Sequence, residues 1–556
     1  MSPYLPREQL ATHDVTNQAL APSDANVFGD DAMLRAAVAA ALSPAGRAAH
    51  WAHLEAFGAR IGQESVRDLG RLASENRPKF TPFDRFGHRI DEVEFHPAYH
   101  QLMDIGQGAG LSARAWTHQE GGHVAHAALL ILMGWADGGV CCPLSMTYAV
   151  VPALRKADWA GDWLASALAP AYDGRSLPAP EKASVTIGMA MTEKQGGSDV
   201  RANSTKAHSL GGDCVELIGH KWFCSAPMSD AFLTLAYEEA GLSCFLVPRW
   251  RPDGNRNAME IQRLKDKLGD HSNASSEIEY RGAFARRVGE PGRGVRTIID
   301  MVQHTRLDCL VGSAGIMRTA LALAMHHAQH RTAFQRKLVD LPAMRAVLAD
   351  LALETEAALA LAFRVAALFD RAHAGDDRAA IAARVLTPIA KFYICKRAPA
   401  AVYEAMECLG GAGYIEESGL PRLFRQSPLN SIWEGSGNVI ALDVQRALAR
   451  EPAARDVLHS ECAPAKGIAS ALDALLDGLD PRAALAPDEA DARRFAARAA
   501  LALQASALIQ RGDADIACAL VQQRLVQGGG LFGAGGLCEG ADRLLQRAGV
   551  FGAGSP

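Results

Sequence analysis

Ser431-Ile-Trp-Glu-Gly-Ser-Gly-Asn438 places one carboxylate, Glu434, between a bulky apolar pair and a Gly-Ser-Gly turn. Taken alone, Glu-Gly-Ser-Gly reads as a turn carrying a solvated acid, because glycine and serine are ordinary turn residues. The neighbouring sequence on both sides changes that reading. Asn438 to Leu448 has helical periodicity, and Glu407-Cys-Leu-Gly-Gly-Ala-Gly-Tyr414 is a second glycine-rich turn on the N-terminal side. Upstream of both lie three long stretches with apolar residues at three- and four-residue spacing: about Val295 to Arg331, Leu341 to Ala372 and Arg378 to Leu409. Helices of that length pack side by side, so the carboxylate belongs to a turn at the edge of a bundle. Pro388 should kink or interrupt the third helix, and Leu420 to Gly437 reads as loop.

Working outward, the texture changes ahead of the bundle. Ala183-Ser-Val-Thr-Ile-Gly-Met-Ala-Met191, Val215-Glu-Leu-Ile-Gly219, Ala231-Phe-Leu-Thr-Leu-Ala-Tyr237, Ser243-Cys-Phe-Leu-Val247 and Glu277-Ile-Glu-Tyr280 are short, apolar or alternating, and separated by turn residues. They predict a small β-domain of about a hundred residues. From Asp31 to about Ala169 the pattern is helical, broken by Pro78, Pro82 and Pro97. After Pro452 comes more Ala/Leu-rich helical sequence, with a break at Gly478 to Pro487. The expected layout is an N-terminal helical domain (1–181), a middle β-domain (182–290), a helical bundle (291–450) and an additional C-terminal helical domain (451–556). The fold class is mainly α with a central β-domain.

Composition narrows the function classes. The 556 residues carry a net charge of -5, so the whole molecule offers no broad attraction for nucleic acid or anionic lipid. The eleven cysteines show no CxxC pair and no repeated spacing, which speaks against a disulfide framework or structural zinc site and for reduced thiols in a cytoplasmic protein. The N-terminus lacks the basic start and apolar core of a signal peptide. No uninterrupted apolar run reaches membrane-spanning length, and Ala127 to Trp135 reads as a buried helix. His326 and His330 share a helix face as a metal pair could, but have no acidic partner nearby, so no metal site is expected.

Four motifs, in order, carry the chemistry. The first is Met191-Thr-Glu-Lys-Gln-Gly-Gly-Ser-Asp199, a tight glycine-containing turn whose N–H groups can approach a ligand. The second is the strand Gly219-His-Lys-Trp-Phe-Cys-Ser225. The third, Arg331-Thr-Ala-Phe-Gln335, ends a long helix; its Arg can fork two bonds to a phosphate. The glycine-rich turn and the Glu434 segment form the fourth.

Together these residues resemble the acyl-CoA dehydrogenase family, from about Thr186 to Arg446. The resemblance implies an FAD flavoprotein that dehydrogenates an acyl-CoA. It implies FAD contacts at Met191, Thr192, Gly197 and Ser198, at Phe223 and Ser225, at Gly410 and Gly411, and at Ser436 and Asn438. Arg331 and Phe334 would reach the FAD of a neighbouring subunit in a homotetramer. Glu434 matches the catalytic carboxylate. Arg306 resembles the start of a substrate-side helix. Some members place the base just before that arginine, where this sequence has Thr305. Trp433, beside Glu434, and Arg446, one helix later, would shorten or polarise an acyl tunnel.

Those two residues, the extra C-terminal segment and the Thr12-His-x-Val-x-Asn17 start resemble the AidB group of the family, associated with the adaptive response to DNA alkylation. That resemblance implies weak dehydrogenase activity on a short or branched acyl thioester, and duplex DNA binding through the C-terminal domain. Arg493, Arg494 and Arg498 are the candidate DNA contacts, although ten Lys or Arg stand against thirteen Asp or Glu from Glu451 onward. The alternatives are a DNA-binding protective flavoprotein with little turnover, and an ordinary isovaleryl or short-chain acyl-CoA dehydrogenase.

Overall fold

A computed structural model describes residues 12–479 and 488–551. Three long helices, Gly294–His330, Pro342–His373 and Asp377–Cys408, pack on one another, and Gly437–Arg450 closes the bundle against the third. The third helix runs uninterrupted through Pro388 and Pro399, contrary to the expected break. Tight packing on both neighbouring helices outweighs the bond that the Arg384 carbonyl loses for want of an N–H at Pro388. The first helix is long and apolar enough to cross a membrane, although polar residues interrupt its apolar sequence. Most of its apolar window is buried within the bundle.

The β-domain is nearly closed. Lys206–Gly211, Cys214–Ser225, Ser275–Val288, Gly241–Pro248 and Ala231–Glu238 pair in succession, and the last returns to the first through Tyr237 and Lys206. Ile187–Ala190 adds in parallel beside Ala231–Glu238, and Met259–Leu264 pairs with Ser275–Val288. A closed ring of strands leaves few edges to solvent.

The N-terminal region holds Gly122–Ala136, whose apolar run is buried as its sequence predicts. It also contains a hairpin where helix was expected, Lys79–Phe83 against Arg89–Glu94. The Pro78 and Pro82 breaks mark its first strand, and Asp84 builds the turn by accepting from the Phe86 and His88 N–H groups.

One apolar core runs from Leu34 and Leu132 through Leu310, Leu353 and Leu386 to Leu503 and Leu544. The helices after Pro452 therefore share their core with the bundle. Arg318, fully buried, fastens three regions. Its Nε meets Asp31 Oδ2 at 2.8 Å and its Nη2 donates to the Ala548 carbonyl at 2.9 Å. A second cluster joins Met146 and Tyr148 to Leu233, Leu246 and Met301, and Trp433 packs against it.

Candidate active site

Glu434 lies in the short connection between helix Asp377–Cys408 and helix Gly437–Arg450. That connection is not all loop as expected: Leu420–Gln426 is helical, with Leu420 and Leu423 buried against the bundle. Glu434 itself has φ +57, in the left-handed region, which costs a non-glycine residue about 1 kcal/mol or more. The surroundings hold it there. Lys391, buried in the third helix, donates from Nζ to the Trp433 carbonyl at 2.9 Å and the Gly435 carbonyl at 3.0 Å. Arg306 donates from Nε to the Glu434 carbonyl at 2.9 Å and meets Asp443 at 2.8 Å, and Arg384 steadies Asp443 from the other side. Gly435, at φ +109, has no room for a Cβ, which would lie 2.9 Å from Ile440.

The Glu434 side chain is half-buried and accepts a hydrogen bond from Thr305 Oγ1 at 2.8 Å. Burial pushes its carboxyl above the ordinary range, while the Thr305 hydroxyl, Lys391 and Arg306 pull it back. Trp433 is anchored through Nε1 to Asn430 at 2.9 Å.

One expectation is corrected here. Arg306 lies well inside helix Gly294–His330, and its guanidinium is committed to the Glu434 backbone and Asp443. Arg446 is exposed, one turn beyond Asp443 on helix Gly437–Arg450. The cations at Glu434 are Arg306 and Lys391. Lys391 escaped the sequence reading. Its only signal was a lysine among apolar residues in a core helix, the mark of a buried charge with a task.

The first two motifs are joined by an ion pair. Glu193 and Lys221, both fully buried, meet at 2.9 Å, and Glu193 also accepts from Thr205 Oγ1 at 2.6 Å. Burial acts to raise the Glu193 carboxyl, but Lys221 and Thr205 outweigh it and hold it well below the usual range. The Trp222 N–H donates to the Thr192 carbonyl at 2.8 Å, so turn and strand form one surface. Met191 and Thr192 are half-buried there, and Gly197 and Ser198 are exposed. A Cβ on Gly197 would lie 2.3 Å from Thr192 Oγ1, so glycine lets the turn fold back on that hydroxyl. Trp222 lies beneath Lys265 Nζ, 3.3 Å from its ring centre, whereas Phe223 is 53% exposed. A register shift between Lys221 and Cys224 separates the two rings. Ser225, two residues on, is half-buried beside Ser275.

The third motif is a two-residue hairpin tip. Thr332-Ala333 pairs with Arg336-Lys337, and Phe334 and Gln335 both take positive φ. Phe334 is 88% exposed. Arg331 and Thr332 are tied to Asn17, whose Nδ2 donates to the Thr332 carbonyl at 2.8 Å. In the fourth motif Gly410 and Gly411 are exposed, with open space where a Cβ would stand, and Tyr414 is 84% exposed. Ser436 caps helix Gly437–Arg450 by backbone position, without a side-chain bond. A tight turn over a hydroxyl, an open glycine pair, a helix start without a side-chain cap and three exposed rings fit a large ligand with phosphates and a flat ring system.

Arg493 donates to Asn438 Oδ1 at 3.0 Å and Arg494 pairs with Asp491. Arg498 lies beside Gly478. Arg511, Arg524, Arg543 and Arg547 are bonded to acids, including Asp350, Glu354, Glu356 and Asp513. His326 Nε2 lies 2.9 Å from the Leu20 carbonyl.

This fold and site are those of the acyl-CoA dehydrogenase family, to which the chain belongs, and whose members are FAD-dependent oxidoreductases. The family's middle domain matches residues 188–283 and its C-terminal domain residues 292–449. Residues 17–174 match the N-terminal domain of adaptive response protein AidB. The chain is 44% identical to the AidB protein of Escherichia coli strain K12 over 462 residues, 82% of this chain and 84% of that one. It is 35% identical to acyl-CoA dehydrogenase family member 11 of Caenorhabditis elegans over 411 residues, 71% of this chain and 66% of that one. The crystal structure of Caenorhabditis elegans ACDH-11 in complex with C11-CoA superposes with a TM-score of 0.84 at 28% identity, covering 93% of this chain and 94% of that one.

Proposed function

We propose that this protein oxidises the Cα–Cβ bond of a short or branched acyl-CoA thioester, with Glu434 removing the α-proton. The observation that supports this most directly is the Glu434 carboxyl. It is desolvated, bonded by Thr305 and fixed in backbone conformation by Lys391 and Arg306. A carboxylate raised above its ordinary range is a stronger base, and a fixed one loses little entropy on reaction. FAD, when bound, supplies the acceptor for the hydride that leaves Cβ. Thr192, Ser198, Phe223 and Ser225 would hold it from one subunit. Phe334, Gly410 and Gly411 are exposed, and Arg331 stands at the base of the same hairpin as Phe334, which suits a neighbour's cofactor in a homotetramer. The C11-CoA complex of the nematode relative supports acyl-CoA as the ligand class. Trp433 beside the base favours the shorter chains.

The test is a titration of Glu434→Gln with a panel of acyl-CoAs while following the flavin spectrum. Flavin should be retained and bleaching lost, with a fall of about a hundredfold or more in rate. Bleaching at the parent rate would assign the base elsewhere.

A role in the response to DNA alkylation is the second reading, supported by the AidB likeness along most of the chain. Of the candidate contacts Arg494 is paired with Asp491, while Arg511, Arg524, Arg543 and Arg547 are engaged with acids, which narrows the basic surface to Arg493 and Arg498. Salt-dependent duplex binding that disappears in an Arg493, Arg494, Arg498 triple alanine variant would establish that contact; unchanged binding would exclude it.

A further inference from the structure

A cleft of about 400 Å³ opens between the Lys79–Glu94 hairpin, helix Pro97–Gly108 and the Ala226–Ser229 turn. Its volume is within the range of small-molecule sites. One wall is aromatic. Phe95 and Tyr99 stack at 4.1 Å, and His100 and Tyr172 stack at 5.9 Å with Nδ1 and the phenol oxygen 2.9 Å apart. Gly174 keeps the loop against that second pair, since a Cβ there would lie 2.8 Å from the Tyr172 oxygen.

Beside these rings the lining includes Ser229. It is 2% exposed, lines the cleft, and its hydroxyl has no hydrogen-bond partner among the described residues. A buried hydroxyl without a partner costs roughly 1–3 kcal/mol, a cost that a bound group would remove. The charges of the lining are mostly acidic. Glu92 and Glu94 stand exposed, Asp173 lies nearby with Arg175, and the ammonium of Lys182 is neutralised by Asp230 at 2.6 Å.

We infer that this cleft binds a small aromatic cation, its ring against Tyr99 and Tyr172 and a hydrogen-bonding group on Ser229. Aromatic faces and carboxylates both favour a cation, and the same carboxylates repel an anion. Glu434 is not among the residues lining the cleft, although Ala226 adjoins Ser225 in the chain.

The experiment is saturation-transfer NMR and calorimetry on the flavin-loaded protein with benzamidine, benzamide and benzoate as probes. Benzamidine should bind at least about tenfold more tightly than benzoate, with benzamide between them. Ser229→Ala should weaken benzamidine several-fold, and Thr81→Trp, at an exposed strand position on the rim, should block it, both with flavin content unchanged. The proposal is overturned if benzamidine shows no binding up to about 10 mM, if benzoate binds as well, or if both variants bind like the parent. Because flavin content is read in the same samples, failure here is distinguishable from failure of the dehydrogenase assignment.

Discussion

Thr305 Oγ1 and Glu434 Oε2, 129 positions apart, are joined by a 2.8 Å hydrogen bond, so a helix of the bundle sets the chemistry of a turn far along the chain. Some family members carry the base at the position of Thr305. In this chain that position holds a hydroxyl bonded to Glu434, the carboxylate proposed as the base.

Thr305→Val removes a bond to the charged form of Glu434, so the carboxyl moves further up. The reaction needs the carboxylate, and activity rises as pH rises through this group. The acidic limb of the rate profile should therefore shift to higher pH by up to about one unit, equivalent to about 1.4 kcal/mol. A profile superimposable on the parent would remove Thr305 from the site.

Lys391→Met keeps the length of the side chain and removes both bonds to the Glu434 turn. Two carbonyls lose their donor and the left-handed Glu434 backbone loses its brace. Thermal unfolding should show a loss of about 2–4 kcal/mol, and acyl-CoA bleaching should slow more than flavin binding weakens.

Glu193→Gln leaves the Lys221 ammonium buried beside a neutral amide, at an expected cost of about 3 kcal/mol. The sign of the pH effect comes from the depressed carboxyl of Glu193. Its stabilisation is complete above the unfolded carboxylate value and is lost as pH falls toward the folded value. The parent should lose stability steadily below about pH 4, and the variant should show a shallower acid limb in Tm measured against pH.

Arg318→Leu strands Asp31 as an unpaired charge in the core and should cost about 3–5 kcal/mol. Asp31→Asn combined with Arg318→Leu should recover part of that loss. A double variant as unstable as the sum of the singles would mean that the pair is not coupled.

Much of the fold and site is legible in the sequence because the signals are local. Glycines at forced conformations, a strand alternation and helical spacing mark their own positions. The paired Glu193 and Lys221 stand inside motifs that the sequence displays, and Glu434 is marked by its flanks. The features that stay hidden depend on partners distant in sequence. Nothing near Lys391 announces that it braces a turn about forty residues later. The hairpin Lys79–Glu94 reads as helix breaks because prolines mark an edge strand as readily as a gap. Pro388 does not break its helix because packing on two neighbouring helices overrides local preference.

The Arg318 tie also has a bearing on how the chain is made. Asp31 leaves the ribosome long before Arg318, but the Ala548 carbonyl follows Arg318 by 230 residues. Until then a guanidinium at the centre of the molecule lacks one of its acceptors, and the apolar faces meant for Leu503 and Leu544 stay wet. Vectorial folding can assemble the sheet and the bundle, yet the core is sealed last and from the C-terminal side. A nascent chain stalled or cut between Leu503 and Ala548 should thus be a chaperone client rather than a working, shortened enzyme.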